Sequence, residues 1–315
     1  MNEHIVSFVE LDKPVINFIN SHNLKLTLAK DLSPLNYATV TIMLGWDKHL
    51  SEKILNAPNS QLKWIQTRSA GVDYLPISTL NKRNITVTNA SGVHAQPIAQ
   101  SVMADLLYFT RGLNQHVKNT NNHEWQANGN HFVLSDFTIL IFGTGRIGQE
   151  LAQNLQVFGV KTLGVNHHGN PIKGFNEVFS LENYPQALKK ANIIINILPG
   201  TTETHHFYDP KFFAKITDLF LFINVGRGAS VDSDALLKAI AQHKIKYVAL
   251  DVTELEPLPI DDKLWQIPEI LITSHSTGLS YDYDQRLSKI ILSNLTSYFT
   301  DKTFVRNVVD LKKGY

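Results

Sequence analysis

A chain of 315 residues, 43% of them hydrophobic, can bury a substantial core and is more comfortable as two domains than as one. Lys plus Arg (29) nearly balance Asp plus Glu (28), and the two signs are interspersed, so no basic stripe is available to neutralise a run of phosphates and nucleic acid is not an expected partner. The absence of cysteine excludes disulfides, thiolate chemistry and cysteine-ligated zinc or iron–sulfur clusters. No metal is expected, and with neither a signal-like start nor an apolar run near the roughly 18 residues of a membrane span, the expectation is a cytoplasmic protein without a membrane partner.

Short β-branched apolar runs alternate with helical stretches, which predicts an α/β fold with largely parallel sheets. In the first ninety or so residues, 5–9, 37–44, 64–66 and 85–88 read as strands. Residues 119–130 are polar and Asn-rich; they read as a loop before the strand at 137–142 and as the nearest thing to a domain seam. Further strands are expected at 162–165, 193–198, 219–225, 247–252 and 270–273. Helices are expected at 147–158, ended by Gly159, and at 234–243, where Asp232 or Ser233 can cap.

The segment Gly143-Thr-Gly-Arg-Ile-Gly148 leaves one of these strands and enters a helix at Ile147. Glycines at Gly143, Gly145 and Gly148 let the backbone turn tightly and approach a pyrophosphate, while free N–H groups and the helix dipole, around Arg146 and Ile147, stabilise its charge. An acid about 20 residues further on would accept hydrogen bonds from an adenosine ribose. Here the second strand ends Val165-Asn166-His167-His168 with no carboxylate, so the main repulsion against a 2′-phosphate is missing, and Asn166, His167 and Lys173 are candidate donors to it. The cofactor is therefore expected to be NADP or NAD, with NADP favoured.

Arg227, Glu256 and His275 each follow an apolar, strand-like run. An arginine suits an anion clamp, a histidine carries a proton near neutrality, and a glutamate beside it orients the ring, which together suit carbonyl chemistry.

The chain resembles the D-isomer-specific 2-hydroxyacid dehydrogenases over almost its whole length. The resemblance rests on Ser-Ala-Gly-Val-Asp (69–73), the 143–148 turn, Leu-Pro-Gly-Thr-Thr-Glu-Thr (198–204), the segment 224–232, Leu-Asp-Val-Thr-Glu-Leu-Glu-Pro-Leu-Pro (250–259), 274–278 and Asn-Val-Val-Asp (307–310). It implies two Rossmann-like domains: a doubly wound parallel-sheet NAD(P)-binding domain (98–282) inserted into a smaller flavodoxin-like substrate domain (1–97 and 283–315). Two long helices, near 97–117 and 282–299, would link them. Arg227, Glu256 and His275 become the catalytic set, and the backbone amides of Ala70, Gly71 and Val72 would hold the substrate carboxylate. Leu198, Pro199 and Thr204 would line the adenosine and nicotinamide path. Val225 and Asp251 would lie near the nicotinamide, Asp251 accepting from its carboxamide, and Ile98 would press on the ring.

The implied activity is reduction of a small 2-oxo acid to a D-2-hydroxy acid, of the glyoxylate/hydroxypyruvate reductase kind. A formate-type dehydrogenase and a nicotinamide-dependent redox-sensing corepressor are the alternatives. Trp46, Tyr74, His94 and Tyr281 are candidates to line the substrate pocket. Two departures stand out: Ala99-Gln100 where many relatives have Ala-Glu, and the missing acid at Asn166. The family usually forms homodimers through its cofactor domain, and loop 119–130 with Trp125 is the expected meeting place. The chain stops soon after Asp310, so an appended regulatory domain is not expected.

Overall fold

Apolar runs form two wholly parallel sheets in the computed structural model, which describes residues 3–312. The chain divides into two compact units, the first made of residues through Val93 together with those from Ser280, the second of His94–Leu279.

In the first unit, β1 (His4–Ser7), β2 (Lys25–Leu28), β3 (Ile42–Leu44), β4 (Trp64–Gln66) and β5 (Thr86–Thr88) lie in the order β2-β1-β3-β4-β5. This is the flavodoxin-like order. Alternate residues point to opposite faces. Ile5, Ile42, Leu44 and Trp64 pack with Leu287, Ile291 and Leu295 of the helix Tyr283–Asp301, while Val6, Met43, Ile65 and Val87 pack with Ile54, Leu55 and Leu80. Covered on both faces, the three central strands are buried at every position and read as continuous apolar runs. β2 is an edge strand, Lys-Leu-Thr-Leu, with no buried residue, and its sequence gives no such run. The expected strand at 37–44 divides, because Pro34–Thr39 is a 3-10 helix and only Ile42–Leu44 pairs.

In the second unit, β6 (Thr138–Phe142), β7 (Lys161–Asn166), β8 (Glu177–Ser180), β9 (Ile193–Asn196), β10 (Leu219–Asn224), β11 (Ile245–Leu250) and β12 (Ile270–Ile272) lie in the order β12-β11-β10-β9-β6-β7-β8. The direction of winding reverses between β6 and β9, and in such sheets ligands bind at the carboxyl ends of the strands beside that reversal. One face of the sheet packs Ile139, Ile141, Ile195 and Ile223 against the helices Ala95–Thr110 and Arg146–Val157; the other packs Leu140, Phe142, Phe222 and Val248 against Phe212, Leu236 and Ile240.

Several expectations are corrected here. The long helix near 97–117 is two helices, Ala95–Thr110 and Leu113–Asn121, separated at Gly112. Gly112 has φ 68°, and a side chain there would meet the backbone of Asn130 at 2.8 Å. Residues 119–130 are not a seam but part of the second unit. They are organised by the buried Asn119, whose amide accepts from Gln115 Nε2 at 2.9 Å and donates to Asn128 Oδ1 at 2.6 Å. The units divide instead after Val93 and after Leu279. β9 and β10 end earlier than expected, each on an asparagine with a role described below. Among the described residues, no helix is long and apolar enough to cross a membrane.

Candidate active site

The glycine-rich turn follows β6, and its three glycines have different physical reasons. Gly143 has φ 107°, which favours glycine, and a Cβ on Gly148 would lie 2.1 Å from the carbonyl oxygen of Gly143, so helix and strand could not approach. At Gly145 an added Cβ meets nothing within 4 Å. That open space borders the N-terminus of the twelve-residue helix Arg146–Val157, whose first N–H groups have no intrahelical partner. A pyrophosphate fits this cradle, which a side chain would fill.

Asn166, at the end of β7, is not a free donor. Its amide group donates to Thr144 Oγ1 at 3.2 Å and to the carbonyl of Asn170 at 3.0 Å, and its oxygen accepts from the N–H groups of His168 and Gly169 at 3.2 and 2.7 Å. Its side chain builds the 166–170 loop. The exposed cationic or protonatable groups presented nearby are His167, His168 and Lys173, with Arg146 exposed at the start of the helix.

The carboxyl ends of β9 and β10 are joined by a buried amide network. Asn196 donates to Asn224 Oδ1 and to Ser230 Oγ, each at 2.8 Å, and its oxygen accepts from Leu198 N at 3.0 Å and from the fully buried Tyr208 hydroxyl at 3.2 Å. Asn224 in turn accepts from Gly226 N at 3.1 Å and donates to the carbonyl of Arg227 at 3.2 Å. Two strand-terminal asparagines therefore shape both the Leu198 segment and the Arg227 loop. Thr204 Oγ1 donates to the carbonyl of Pro199 at 2.6 Å, which folds the 198–204 segment back on itself. Leu198 and Val225 are buried, and Ile98 packs partly exposed on the core of this unit.

Arg227 follows β10. The next residue, Gly228, is where this loop presses on the one after β11: an added Cβ would lie 1.8 Å from the carbonyl oxygen of Thr253. Thr253 N donates to Glu256 Oε1 at 3.1 Å, and Glu256 Oε2 lies 2.7 Å from His275 Nδ1. Three adjacent strands thus deliver Arg227, Glu256 and His275 to one end of the sheet, with Glu256 and His275 in direct contact. The ring of His275 is 56% exposed, so a reactant can reach it. Glu254 forms a second pair on the same loop, with its Oε1 2.6 Å from His206 Nε2. Burial raises the Glu254 carboxyl, but its hydrogen bonds from His206 and Ser233 outweigh that and leave it below its ordinary value.

Asp251 is 5% exposed and engaged by the His275 turn. It accepts from the hydroxyls of Thr273 and Thr277 at 2.6 Å and from Ser276 N at 2.9 Å. Asp105, on the helix Ala95–Thr110, is pushed up to about 7 by burial and by the charge of Asp251.

In the first unit, the 69–72 loop has its carbonyls tied down. Ser69 O accepts from Thr67 Oγ1 and Ala90 N, Ala70 O from Asn89 Nδ2, Gly71 O from Ser69 Oγ, and Val72 O from Leu75 N, all at 2.8–3.0 Å. The amide N–H groups of Ala70, Gly71 and Val72 follow one another along this loop. Successive N–H groups on a fixed loop can form an anion nest. Of the pocket candidates in this unit, Tyr74 bonds Ser69 through its hydroxyl at 2.8 Å, Trp46 has a buried indole N–H without a partner, and Tyr281 is fully exposed. His94, in the second unit, is bonded at 2.9 Å to the carbonyl of Gly278.

Asn196, Tyr208, Asp105 and the engagement of Asp251 are not foreseeable from the sequence pattern. The one available signal was position: Asn196 and Asn224 are polar residues closing otherwise apolar strands.

Comparison with known proteins agrees with this architecture. Residues 103–277 match the family described as D-isomer specific 2-hydroxyacid dehydrogenase, NAD binding domain. The glyoxylate reductase of Thermofilum pendens is 31% identical over 79% of this chain and 75% of its own length. The glyoxylate/hydroxypyruvate reductase B of Escherichia fergusonii is 28% identical over 94% of each chain. A solved structure of a D-isomer specific 2-hydroxyacid dehydrogenase family protein from Aeromonas salmonicida superposes with a TM-score of 0.84, at 28% identity, over 99% of this chain and 100% of that one. The chain belongs to the D-isomer specific 2-hydroxyacid dehydrogenases, and is an NAD(P)-dependent oxidoreductase.

Proposed function

We propose that this enzyme reduces small 2-oxo acids, glyoxylate and hydroxypyruvate foremost, to D-2-hydroxy acids, with NADPH preferred over NADH. The observation that carries the reading is the 2.7 Å contact between His275 Nδ1 and Glu256 Oε2. With the glutamate accepting at Nδ1, the other ring nitrogen is left to hold and deliver a proton.

The second unit holds the cofactor at Gly143, Gly145 and Gly148, with Arg146 and Ile147 opening the helix; Leu198, Pro199, Thr204, Val225 and Ile98 complete its path. When bound, the nicotinamide supplies a hydride to the keto carbon of the substrate. The successive amides at Ala70, Gly71 and Val72 suit a carboxylate, which fits the first unit to a substrate-binding role. Arg227 forks onto the carboxylate and the keto oxygen and stabilises the charge that grows on that oxygen. His275 gives its Nε2 proton to the oxygen as the C=O pair collapses onto it, and is left neutral with Nδ1–H still donating to Glu256. We place the enzyme in the cytoplasm as a homodimer, in which a second copy would cover the fully exposed Trp125.

Parallel assays of NADPH and NADH oxidation with glyoxylate, hydroxypyruvate, phenylpyruvate and a branched 2-oxo acid test this, with chiral analysis of the product. The expected result is turnover of the two smaller acids to the D isomer, faster with NADPH. Silence across the panel in a protein that binds the cofactor overturns it.

A further inference from the structure

A peptide group is planar and trans, so its N–H points away from its C=O, and a carbonyl that is held fixes the direction of the next residue's N–H. The carbonyls that precede the amides of Ala70, Gly71 and Val72 are all held. Ser69 O accepts from Thr67 Oγ1 at 2.9 Å and from Ala90 N at 3.0 Å, Ala70 O from Asn89 Nδ2 at 2.8 Å, and Gly71 O from Ser69 Oγ at 2.8 Å. The Ala70–Gly71 peptide, in the middle, is thus oriented by the side chain of Asn89, a residue only 8% exposed.

Asn89 is itself fixed by a residue near the far end of the chain. Its N–H donates to Asn307 O at 2.9 Å, its carbonyl accepts from Asn307 Nδ2 at 3.0 Å, and its side-chain oxygen accepts from Ser91 N at 2.9 Å. Asn307 Nδ2 also donates to the carbonyl of Ser91 at 2.9 Å. Asn307 has φ 63°, a left-handed conformation that asparagine tolerates better than most residues other than glycine. Two residues on, Val309 N donates to Val87 O at 2.9 Å, which ties this segment to β5. Hydrogen bonds therefore run without a break from Asn307 through Asn89 to the Ala70 carbonyl.

We propose that Asn89 and Asn307 are positioning residues for the substrate carboxylate: Asn307 fixes Asn89, Asn89 holds the Ala70 carbonyl, and the Gly71 N–H is thereby aimed at the carboxylate. The proposal rests on the reading of the 69–72 amides as the carboxylate site. Both residues act on substrate binding rather than on proton or hydride transfer.

The test uses the full-length enzyme and compares Asn89→Ala, Asn307→Gly and the double substitution. Glycine at 307 keeps the left-handed backbone and the carbonyl that accepts from Asn89 N, and removes only the side-chain donor. KM and kcat for hydroxypyruvate, the inhibition constant of the carboxylate oxamate, the NADPH dissociation constant and the melting temperature are measured. Asn89→Ala is expected to raise KM and the oxamate constant together by about 10-fold, the scale of one hydrogen bond to a charged group. Its kcat should fall by less than about threefold and its NADPH dissociation constant change by less than about twofold, since the weakened contact is made in ground and transition states alike. Asn307→Gly should give a smaller rise of the same kind, and no further rise in the Asn89→Ala background, because residues acting through one another are not additive.

The sequence contains one Ala-Gly pair, so labelling with carbonyl-13C alanine and 15N glycine selects the Gly71 amide for nuclear magnetic resonance. With NADPH bound, oxamate should shift this resonance in the wild type and much less in Asn89→Ala. A fall in kcat at unchanged KM, or a matching loss of NADPH affinity, would overturn the proposal in favour of a general structural role. Equal effects of Asn307→Gly in both backgrounds would do the same. If Asn89→Ala does not fold, Asn307→Gly decides by its KM, oxamate constant and Gly71 shift. A wild-type Gly71 amide that does not respond to oxamate overturns the carboxylate site itself, whereas a full response in Asn89→Ala with KM unchanged overturns only the positioning role.

Discussion

His275 Nδ1 and Glu256 Oε2 lie 2.7 Å apart, although the two residues come from loops after different strands, and the second glutamate oxygen is held at 3.1 Å by Thr253 N. The glutamate is therefore fixed by its own loop before it fixes the histidine. Replacing His275 with Ala should lower kcat by roughly 100-fold or more, the usual scale for a lost general acid. Glu256→Gln should cost less, because a glutamine oxygen can still orient the ring. Near-normal turnover in His275→Ala would remove this residue from the mechanism.

Gly145 and Gly148 make opposite predictions from one motif. Gly145→Ala meets nothing within 4 Å, so it should fold with an unchanged melting temperature and bind NADPH about 10-fold or more weakly, the cost of one methyl group in a fitted site. Gly148→Ala drives a methyl group to 2.1 Å from Gly143 O, and should destabilise the protein by about 1–3 kcal/mol or more. Calorimetry and a binding titration separate the two. Equal effects of both substitutions on binding, with no difference in stability, would contradict the division of roles.

The strand at 64–66 was legible to the residue, and the one at 138–142 to within one residue, because both faces of a parallel sheet are covered and the side chains are apolar at nearly every position. β2 and β8 were not, because they are edge strands that carry Lys25 and Glu177 at exposed positions. The same division holds at the site. That Glu256 and His275 meet could be read from their order after apolar runs, since chemistry restricts the residue types. What Asp251 does could not be found, because its partners Thr273 and Thr277 lie more than twenty residues away and are brought near only by the sheet.

Asp105 makes stability depend on pH. Its carboxyl is raised to about 7 by burial and by Asp251, against about 3.9 in an unfolded chain. Between those values the folded state binds a proton that the unfolded state does not, so stability falls as pH rises. The contribution is fully present below about pH 4 and is lost as pH passes through about 7. Asp105→Asn lacks this dependence, and its melting temperature should gain on the wild type from pH 5 to about pH 7 and level off above that. A constant difference between the two proteins over that range would show that Asp105 is ionised throughout.

Cofactor choice should be decided by side chains that the 166–170 loop presents, since both amide hydrogens of Asn166 are already engaged by Thr144 and Asn170. His167→Ala should weaken NADPH binding by about 10-fold and leave NADH unchanged, as expected for a hydrogen bond to a charged phosphate. Asn166→Asp is a more complex change. It adds the negative charge that repels a 2′-phosphate, but it also removes both amide donors and sets a carboxylate oxygen against the carbonyl of Asn170. The substitution should therefore lower affinity for NADPH strongly and lower affinity for NADH as well, moving the preference toward NADH without producing an efficient NADH enzyme. Dissociation constants for both cofactors in the two variants distinguish these effects. An Asn166→Asp protein that binds NADH more tightly than the wild type does would show that the loop does not depend on the amide.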